Sequence, residues 1–316
     1  MNEIEAIDLI VNRLGPAATG KGVVIGPGDD SAVVGFDPEE ETVVTSDVLI
    51  EKRHFPEGSP GDLVGYRSVA VNISDLSSMG AQPRYLTIAL TADSIEESWL
   101  LAFADGVRAC CLETGSIVIG GNLARGPKSI AITALGSVLR GKSVTRSGAE
   151  VGDEIWLTGT VGATAVALQN FRDPQIASLE ELLERRNENA LARYFLPIPR
   201  VDFASHLFSF ASSATDVSDG LVCELDQLSR NSGHRMQVDV ESVPVWCGAN
   251  PREAIQSDDS YELVFTAHPC ERTEVTSVAK RTKTPVARIG LVQEGDGVHV
   301  HEGEVMIEVD AGYSHF

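Results

Sequence analysis

The spacing of apolar residues over positions 3–139 predicts helices interspersed with strands. Apolar side chains recur at helical intervals over residues 3–14, which predicts a short amphipathic helix. Ser59 followed by Pro60 is typical of a helix start, and this helix is expected to run to about Met79, where Gly80 provides a stop signal. A further helix is predicted at 95–115, and strands are predicted at 23–26, 32–36, 42–50, 86–91, 116–120 and 130–139.

In the second half of the chain, apolar residues again follow helical spacing in some segments and strand spacing in others. Strands are predicted at 154–158, 212–215, 236–240, 263–266, 286–291 and 305–309, and helices at 179–195 and 221–232. A polar, turn-rich segment at 141–148 separates the halves. Because the chain exceeds one typical core, we predict two domains, 1–143 and 144–316. The expected fold class is α/β of the α+β type, since strands and helices do not alternate strictly.

Aspartates interrupt this pattern at turns and inside apolar elements. Burying a carboxylate is costly unless a cation pairs with it, and few lysines or arginines lie beside these segments. The residues are Asp29 and Asp30 after Gly28, Asp47 in the strand 42–50, Asp75 in the helix after Pro60, and Asp216 and Asp219 around a strand-to-helix turn. Thr45 and Asp47 share one face of their strand, because strand side chains alternate. Together these carboxylates are typical of a site for Mg²⁺ and a phosphorylated ligand.

Each aspartate also has an ordinary structural interpretation. Asp29 and Asp30 could simply shape a β-turn, and Asp47 could lie on an edge strand. Asp75 could be a solvated helix position, and the last two aspartates could cap the following helix. The metal-site hypothesis therefore requires that the aspartates meet in space. Metal ions there would neutralise a polyphosphate and orient an in-line transfer.

Composition and charge narrow the classes of partner. The 316 residues include 25 basic and 46 acidic side chains, a net charge of -21, which disfavours nucleic acids and anionic membranes. Anionic small substrates are compatible, because metal ions invert the local field. No apolar run approaches the roughly 20 residues that span a bilayer, and the acidic N-terminus lacks a signal-peptide pattern, so we expect a cytoplasmic protein. The five cysteines include no C-x-x-C pair and are expected to be reduced thiols.

The sequence lacks the standard nucleotide-binding motifs. It has no G-x-x-x-x-G-K-[ST], no protein-kinase motif set and no G-x-G-x-x-G after a strand. Gly120 and Gly121 are predicted to form a turn where the backbone could approach a phosphate closely. Arg125 and Arg146 are candidate phosphate ligands or surface ion-pair partners. His54 follows the strand 42–50 and could contact substrate, although a lone histidine is often structural.

These segments together resemble the thiamine-monophosphate kinase family, part of an ATP-binding superfamily that includes aminoimidazole ribonucleotide synthetase and selenophosphate synthetase. The resemblance covers nearly the whole chain and rests on ordered motifs at matching spacing. The motifs are Gly26-Pro27-Gly28-Asp29-Asp30, Thr45-Ser46-Asp47 with His54-Phe55, Ala70-Val71-Asn72-Ile73-Ser74-Asp75-Leu76, Gly120-Gly121, Arg125-Gly126-Pro127, Thr145-Arg146-Ser147-Gly148-Ala149, Asp216-Val217-Ser218-Asp219-Gly220-Leu221, Tyr261-Glu262-Leu263 and Gly312-Tyr313-Ser314-His315-Phe316.

The resemblance implies an N-terminal ATP- and metal-binding domain that dimerises through its sheet, and a C-terminal α/β domain packed on it that completes the active site. It implies a homodimer that uses ATP and several Mg²⁺ ions to phosphorylate thiamine monophosphate to thiamine diphosphate, with no catalytic side chain beyond metals and positioning. The implied metal ligands are Asp30, Thr45, Ser46, Asp47, Asp75, Asn122, Asp216 and Asp219. The implied ATP-binding residues are Gly121, Asn122, Arg146 and Ser218, and the implied substrate-facing residues are His54, Asp259 and Tyr313.

Two departures from the family pattern leave alternatives open. Asn122 stands where the family usually has aspartate after the paired glycines, which removes one negative charge. Residues 257–260 read Ser-Asp-Asp-Ser instead of Gly-Gly-Glu-Asp, so Asp259 keeps a shorter acid and the flexible glycines are lost. One alternative is a related superfamily enzyme that acts on another small phosphate or amide. The other is a non-catalytic nucleotide-binding paralogue.

Overall fold

The computed structural model describes residues 3–94, 96–171 and 178–309. The chain divides into two compact units. The first unit comprises Met1–Leu76, Ala81–Gly141 and Asp173–Arg185, and the second comprises Ser77–Gly80, Lys142–Arg172 and Arg186–Phe316. The mixed α/β class and the two-domain organisation expected from the sequence are confirmed. Among the described helices, none has the length and apolar character needed to cross a membrane.

The described α-helices and β-strands are distributed through both units. The helices are α1 (Glu3–Leu14), α2 (Gly61–Ser78), α3 (Glu97–Thr114), α4 (Ala163–Asn170), α5 (Leu179–Arg185), α6 (Ala190–Phe195), α7 (Val201–Ala204), α8 (Leu221–Ser232), α9 (Pro251–Gln256) and α10 (Arg272–Thr282). The strands are β1 (Val23–Ile25), β2 (Val33–Val34), β3 (Glu40–Ile50), β4 (Gln82–Thr91), β5 (Ile117–Ala124), β6 (Ser129–Leu139), β7 (Glu154–Thr158), β8 (Ala211–Asp216), β9 (Arg235–Asp239), β10 (Leu263–Ala267), β11 (Val286–Gln293), β12 (Val298–Glu302) and β13 (Val305–Ile307).

The first unit is built on a four-stranded mixed sheet. Its strand order is β3-β6-β4-β5, in which β4 and β5 are parallel and the other neighbours are antiparallel. Strands β1 and β2 form a separate antiparallel pair around the Gly28 turn. Helix α2 is buried along almost its whole length, so it forms a large part of this unit's core. Gly80, with a positive φ of 76°, follows α2 at the expected stop.

The second unit is built on a seven-stranded sheet with the order β13-β12-β9-β11-β7-β10-β8. Neighbours are antiparallel except β9 and β12, which are parallel. Leu221, Leu225 and Leu228 of α8 pack in one hydrophobic cluster with strand residues. Phe203 of α7 and Val275 of α10 belong to a second cluster. The sheet therefore lies between two apolar layers, as its predominantly buried strands require.

The structure corrects the predicted elements in several places. The predicted helix 179–195 is two helices, because the Asn189 side chain accepts hydrogen bonds from the amides of Leu191 and Ala192 and starts α6. Helices α9 and α10 and strand β12 lie outside the predicted elements. By contrast, α8 has the predicted bounds and ends at Gly233, which has a left-handed backbone.

Candidate active site

Strand β3 and helix α2 bring predicted metal ligands together in the first unit. The Thr45 hydroxyl donates a hydrogen bond to Oδ2 of Asp75 over 2.6 Å, across 30 positions of sequence. Asp47 lies two positions after Thr45 on the same face of β3, and all three side chains are half-buried. We call Thr45, Asp47 and Asp75 the β3 group. It offers a hydroxyl and two carboxylates, which are hard oxygen donors of the kind that Mg²⁺ prefers.

Ser46 and His54 have different surroundings. The Ser46 hydroxyl donates to the carbonyl oxygen of Ile132 over 3.1 Å, on the face of β3 opposite Asp47, so this hydroxyl does not join the β3 group. His54 lies in the turn after β3, where its Nδ1 accepts a hydrogen bond from the Ile50 amide over 2.9 Å. In the neutral ring this bond places the proton on Nε2.

A cavity of about 560 Å³ in the first unit is lined by Asp30, Gly121 and Asn122, which we call the cavity group. Ile7 and Ile10 of α1 also line it. An apolar wall beside exposed backbone and an acidic turn suits a flat ring that bears polar groups. Asp29 stabilises the turn, because its Oδ1 accepts a hydrogen bond from the Asp30 amide over 2.9 Å.

Gly121 lies inside strand β5, and the prediction that the glycine pair forms a turn is wrong. A Cβ atom at Gly121 would lie 2.0 Å from the carbonyl oxygen of Ile88 on β4. Only glycine therefore permits β4 and β5 to approach closely at this position. Asn122 follows it in the strand and is exposed.

The register of the sheet separates the β3 group from the cavity group. Asp47 pairs with Ile132, Ile132 with Ile88, and Ile88 with Gly121, so these residues form one row across four strands. Since neighbouring strands lie about 4.8 Å apart, Asp47 and Gly121 are about 14 Å apart at opposite edges of the sheet. Within one chain, the first unit therefore presents two separate groups of predicted site residues.

The remaining predicted metal ligands lie after strand β8 in the second unit. Asp216 ends β8 and is buried, while Ser218 and Asp219 are half-buried in the turn before α8. Gly220 closes this turn with a φ of 108°, and a Cβ there would lie 2.3 Å from the carbonyl oxygen of Gln256. Glycine is therefore required both for the backbone angle and for contact with the end of α9.

Glu224, on the first turn of α8, is a residue that sequence reasoning missed. Its carboxylate accepts hydrogen bonds from Ser218 over 3.2 Å and from Thr215 over 3.3 Å, and Nη2 of Arg146 lies 4.0 Å away. Burial raises the pKa of Glu224, and Arg146 and Ser218 oppose that shift. We call Asp216, Ser218, Asp219 and Glu224 the β8 group. An acidic residue in the first helical turn after Asp219 was the available sequence signal.

The β8 group also has donor atoms close enough to share one cation. One donor atom each from Asp219, Cys223 and Glu224 lies within 4.8 Å of the others. The two carboxylates fit a hard cation such as Mg²⁺, whereas the thiol does not. The β8 group therefore fits Mg²⁺ through its oxygen atoms.

The segment 257–262 lies beside the β8 group. The Val217 amide donates to the Glu262 carbonyl over 2.8 Å, and the Tyr261 amide donates to the Val217 carbonyl over 2.9 Å. Tyr261 has a φ of 54°, a left-handed conformation that is unusual for a side chain of this size. These bonds hold the predicted substrate-facing segment against the turn that follows β8.

Helix α4 provides the contacts of the two aspartates in this segment. The Thr164 hydroxyl donates to Oδ1 of Asp259, and the Thr164 amide donates to Oδ1 of Asp258 over 3.1 Å. Asp258 is 4% exposed, and burial, together with the neighbouring Asp259 charge, raises the pKa of Asp258 to about 6. The segment therefore holds a buried carboxyl, Asp258, next to the predicted substrate residue Asp259.

Glu262 anchors the other end of the segment. Its fully buried carboxylate accepts hydrogen bonds from Thr158, from Arg193 and, over 2.6 and 2.8 Å, from Arg200. Burial alone would raise the pKa of Glu262, but Arg200 and Arg193 outweigh it and hold the pKa below its ordinary value. Glu262 is thus a buried ion-pair residue. Tyr313, the other predicted substrate residue in this half, lies outside the described residues.

The fold and the site groups define a class of protein. Residues 28–138 match the family "AIR synthase related protein, N-terminal domain", and residues 150–302 match "AIR synthase related protein, C-terminal domain". These matches cover the β3, cavity and β8 groups. The chain is therefore an AIR synthase related protein.

Similarity to individual proteins narrows the class. The chain is 33% identical to thiamine-monophosphate kinase of Salmonella typhimurium over 93% of this chain and 92% of that protein. It matches the crystal structure of thiamine-monophosphate kinase from Stenotrophomonas maltophilia K279a with a TM-score of 0.85 and 35% identity, over 92% of this chain and 95% of the other. A structure of AaThiL complexed with AMPPCP and TMP matches with a TM-score of 0.73 and 28% identity, over 100% and 99% of the chains. The chain belongs to the thiamine-monophosphate kinase family.

Proposed function

We propose that this chain transfers the γ-phosphoryl group of ATP to thiamine monophosphate, which yields thiamine diphosphate and ADP. The observation that carries the proposal is the full-length similarity to thiamine-monophosphate kinases, at 33% identity over 93% of this chain. The related AaThiL was solved with AMPPCP and TMP, which supports a nucleotide and a thiamine phosphate as the ligands of this fold.

The cavity group supports the nucleotide part of the proposal. Ile7 and Ile10 would contact the apolar base, and the backbone of Gly121 and the side chain of Asn122 would contact the polar part of ATP. In the second unit, the proposed phosphate-binding residues are Arg146, beside Glu224, and Ser218 of the β8 group, since both are polar donors. Ser218 would have to turn its hydroxyl from Glu224 towards the ligand.

Mg²⁺ is part of the proposal because the donor atoms fit it. The β3 group and the β8 group are built from carboxylate and hydroxyl oxygens, and Asp30 adds a carboxylate beside the cavity. When bound, Mg²⁺ would neutralise phosphate charge and align the reacting groups. Ser46 and Asn122 are kept in the proposed ligand set, with Ser46 contributing through its backbone because its hydroxyl contacts the carbonyl oxygen of Ile132.

The proposed reaction needs little acid–base catalysis from side chains. The acceptor phosphate is already ionised, so its oxygen attacks without a strong general base, and positioning and charge neutralisation supply most of the rate. His54, Asp259 and Tyr313 would orient the acceptor. The Asp259 carboxylate is held by the Thr164 hydroxyl, and His54 is oriented by the Ile50 amide.

A homodimer and a cytoplasmic location complete the proposal. Val44, Val48 and Ile50 are 60%, 44% and 41% exposed on one face of β3, which favours a second copy of this chain docking on that face of the sheet. All five cysteines are free thiols, which favours a reducing compartment. Sedimentation of the purified chain would test the dimer directly.

A turnover assay tests the proposed reaction. Purified protein, Mg²⁺, ATP and thiamine monophosphate should yield thiamine diphosphate and ADP in equal amounts, measured by chromatography. Thiamine without its phosphate is the matched control acceptor and should not react. Turnover of another small phosphate or amide in place of thiamine monophosphate would establish the alternative enzyme. ATP binding without turnover of any acceptor would establish the non-catalytic paralogue, which Asn122 and the Ser257–Ser260 segment would then explain.

A further inference from the structure

A second, larger cavity lies entirely within the second unit. Its volume is about 880 Å³, and its lining comes from the end of β7, from α4, from α6 and from the segment that contains Trp246 and Cys247. Among the residues that the structure describes, none of those proposed above to bind ATP, acceptor or metal lines it. The inner wall includes the buried Arg193 and Arg200, whereas Glu188 and Cys247 are exposed and mark the mouth.

Arg193 is the unusual residue of this cavity. Its side chain is 3% exposed, and its Nη2 donates to Glu262. Its Nε and Nη1 atoms have no hydrogen-bond partner among the residues that the structure describes. A buried guanidinium with unsatisfied donors is costly, because each donor has lost its water without gaining an acceptor. Neither atom is exposed in the cavity, so an acceptor would satisfy them only after the Arg193 side chain turned towards it.

The charges around Arg193 favour an anion. Arg193 and Arg200 share one carboxylate, Glu262, so these three groups carry one excess positive charge. Burial pulls the pKa of Arg193 below its usual value, yet arginine starts so high that it stays protonated near neutral pH. Glu188 opposes the excess charge only at the exposed mouth, and Asp258 acts on Arg193 more weakly than Glu262 or Arg200 does.

The rest of the lining favours a flat apolar body on that anion. Val166 and Ala167 of α4, Leu191 of α6 and Trp246 supply apolar and aromatic surface. A half-buried indole is suited to contact with a ring, and a guanidinium is suited to carboxylate or phosphate oxygens. We propose that this cavity binds a small organic oxyanion, a carboxylate or phosphate on a flat apolar body, at a site separate from the ATP and acceptor sites.

Helix α4 connects this cavity to the proposed substrate-facing segment. Thr164 of α4 holds Asp258 and Asp259, and Val166 and Ala167 line the cavity on the same helix. A ligand that fixes α4 would therefore also restrain the substrate-facing segment. The binding proposal itself does not depend on the kinase activity, since its tests measure binding alone.

Protection of Cys247 from alkylation tests the site in the full chain. The probe is phenyl phosphate, phenol is the uncharged control, and iodoacetamide labelling of each cysteine is read by mass spectrometry. At a probe concentration about ten times Kd, labelling of Cys247 should slow about tenfold, while labelling of Cys270, the other exposed cysteine, should not change. Phenol should give no protection. Equal protection by phenol, or none by phenyl phosphate, overturns the proposal.

Competition separates this cavity from the kinase site. Protection should persist when a non-hydrolysable ATP analogue and thiamine monophosphate are both saturating. If thiamine monophosphate removes the protection by displacing the probe, the cavity belongs to the acceptor site and the separate-site proposal is wrong. Failure of the kinase assay would leave this experiment unaffected.

Two variants test the assigned groups. Arg193→Met should weaken phenyl phosphate binding, measured by calorimetry, by about tenfold or more, because a charge-assisted hydrogen bond is lost. Arg252→Met, which removes an exposed arginine paired with Glu302, is the matched control and should leave binding unchanged. If Arg193→Met does not fold, Leu191→Trp fills the cavity instead. A folded Leu191→Trp chain that binds the probe as tightly as the parent overturns the proposal.

Discussion

The two units hold their candidate carboxylates in opposite ways. In the first unit, Asp30 is exposed and Asp47 is half-buried on a strand. In the second unit, Asp216, Glu224 and Glu262 are 3% exposed or less. Buried carboxylates need cations or donors around them, and Glu224 and Glu262 face arginines within 4.0 Å. The difference teaches that Asp30 and Asp47 keep contact with solvent, whereas Asp216, Glu224 and Glu262 belong to the folded core of the second unit.

The largest expected effect is on stability and concerns the buried ion pairs of Glu262 with Arg193 and Arg200. Glu262→Gln leaves two buried guanidiniums without their carboxylate and should lower the free energy of unfolding by about 3 to 5 kcal/mol. Glu40→Gln, which removes the partly exposed pair with Arg84, is the matched control and should cost less than about 1 kcal/mol. Urea titration measures both changes. Similar losses in the two variants would contradict the distinction between the units.

The next largest effect concerns activity in the first unit. Asp47→Asn should lower kcat/KM for phosphorylation of thiamine monophosphate by more than about a hundredfold, because the charge of a proposed metal ligand is removed. The free energy of unfolding should change little, because Asp47 is half-buried and its Oδ1 accepts a hydrogen bond from the adjacent Val48 amide, which an asparagine oxygen can also accept. Asp37→Asn, at an exposed turn, is the control. Activity that survives Asp47→Asn would remove the β3 group from the proposed metal site.

A smaller, pH-dependent effect is expected at Asp258. Its pKa is about 6 in the folded chain, above the 3.8 of an ordinary aspartate, so the folded state binds the proton more tightly. This carboxyl therefore destabilises the fold above pH 6, and the penalty disappears as the pH falls from 6 towards 4. Asp258→Asn should be more stable than the parent by about 1 to 3 kcal/mol at pH 7.5, and the difference should shrink towards pH 4.

Urea titrations of both chains at several pH values measure that difference. Asn keeps an oxygen that can accept from the Thr164 amide, so the substitution removes charge with little loss of hydrogen bonding. Asp296→Asn, at an exposed position, serves as the surface control. If the difference in the free energy of unfolding between parent and Asp258→Asn stayed constant across this pH range, the stabilisation would not come from removing a buried charge.

The smallest effect is expected at Asn122. Asn122→Asp restores the charge usual in the family beside the cavity and should leave kcat/KM equal or raise it, together with the affinity for Mg²⁺. Titration of activity against Mg²⁺ measures both. The side chain is exposed, so the free energy of unfolding should not change appreciably. A loss of activity would mean that the asparagine amide itself contacts the nucleotide.

Local elements were largely predictable, and contacts between elements were not. Helix α8 has the predicted bounds because its apolar period and Gly233 are local signals. The glycine pair was placed in a turn because glycine is common in turns, yet Gly121 lies in β5 to let the backbone of Ile88 approach. The single helix predicted at 179–195 failed because the cap at Asn189 outweighs continuous helical propensity.

By itself, the sequence determined which residues share a strand face, where helix α8 begins and ends, and which ordered motifs carry the family resemblance. Alternation and helical period are properties of a few neighbouring residues, so they can be read from the chain. The tertiary structure alone decided that Thr45 contacts Asp75, that Glu224 faces Ser218 and that Arg193 lines a cavity. Those contacts join residues that sheet register and helix packing bring together, and burial then determines which charges need a partner.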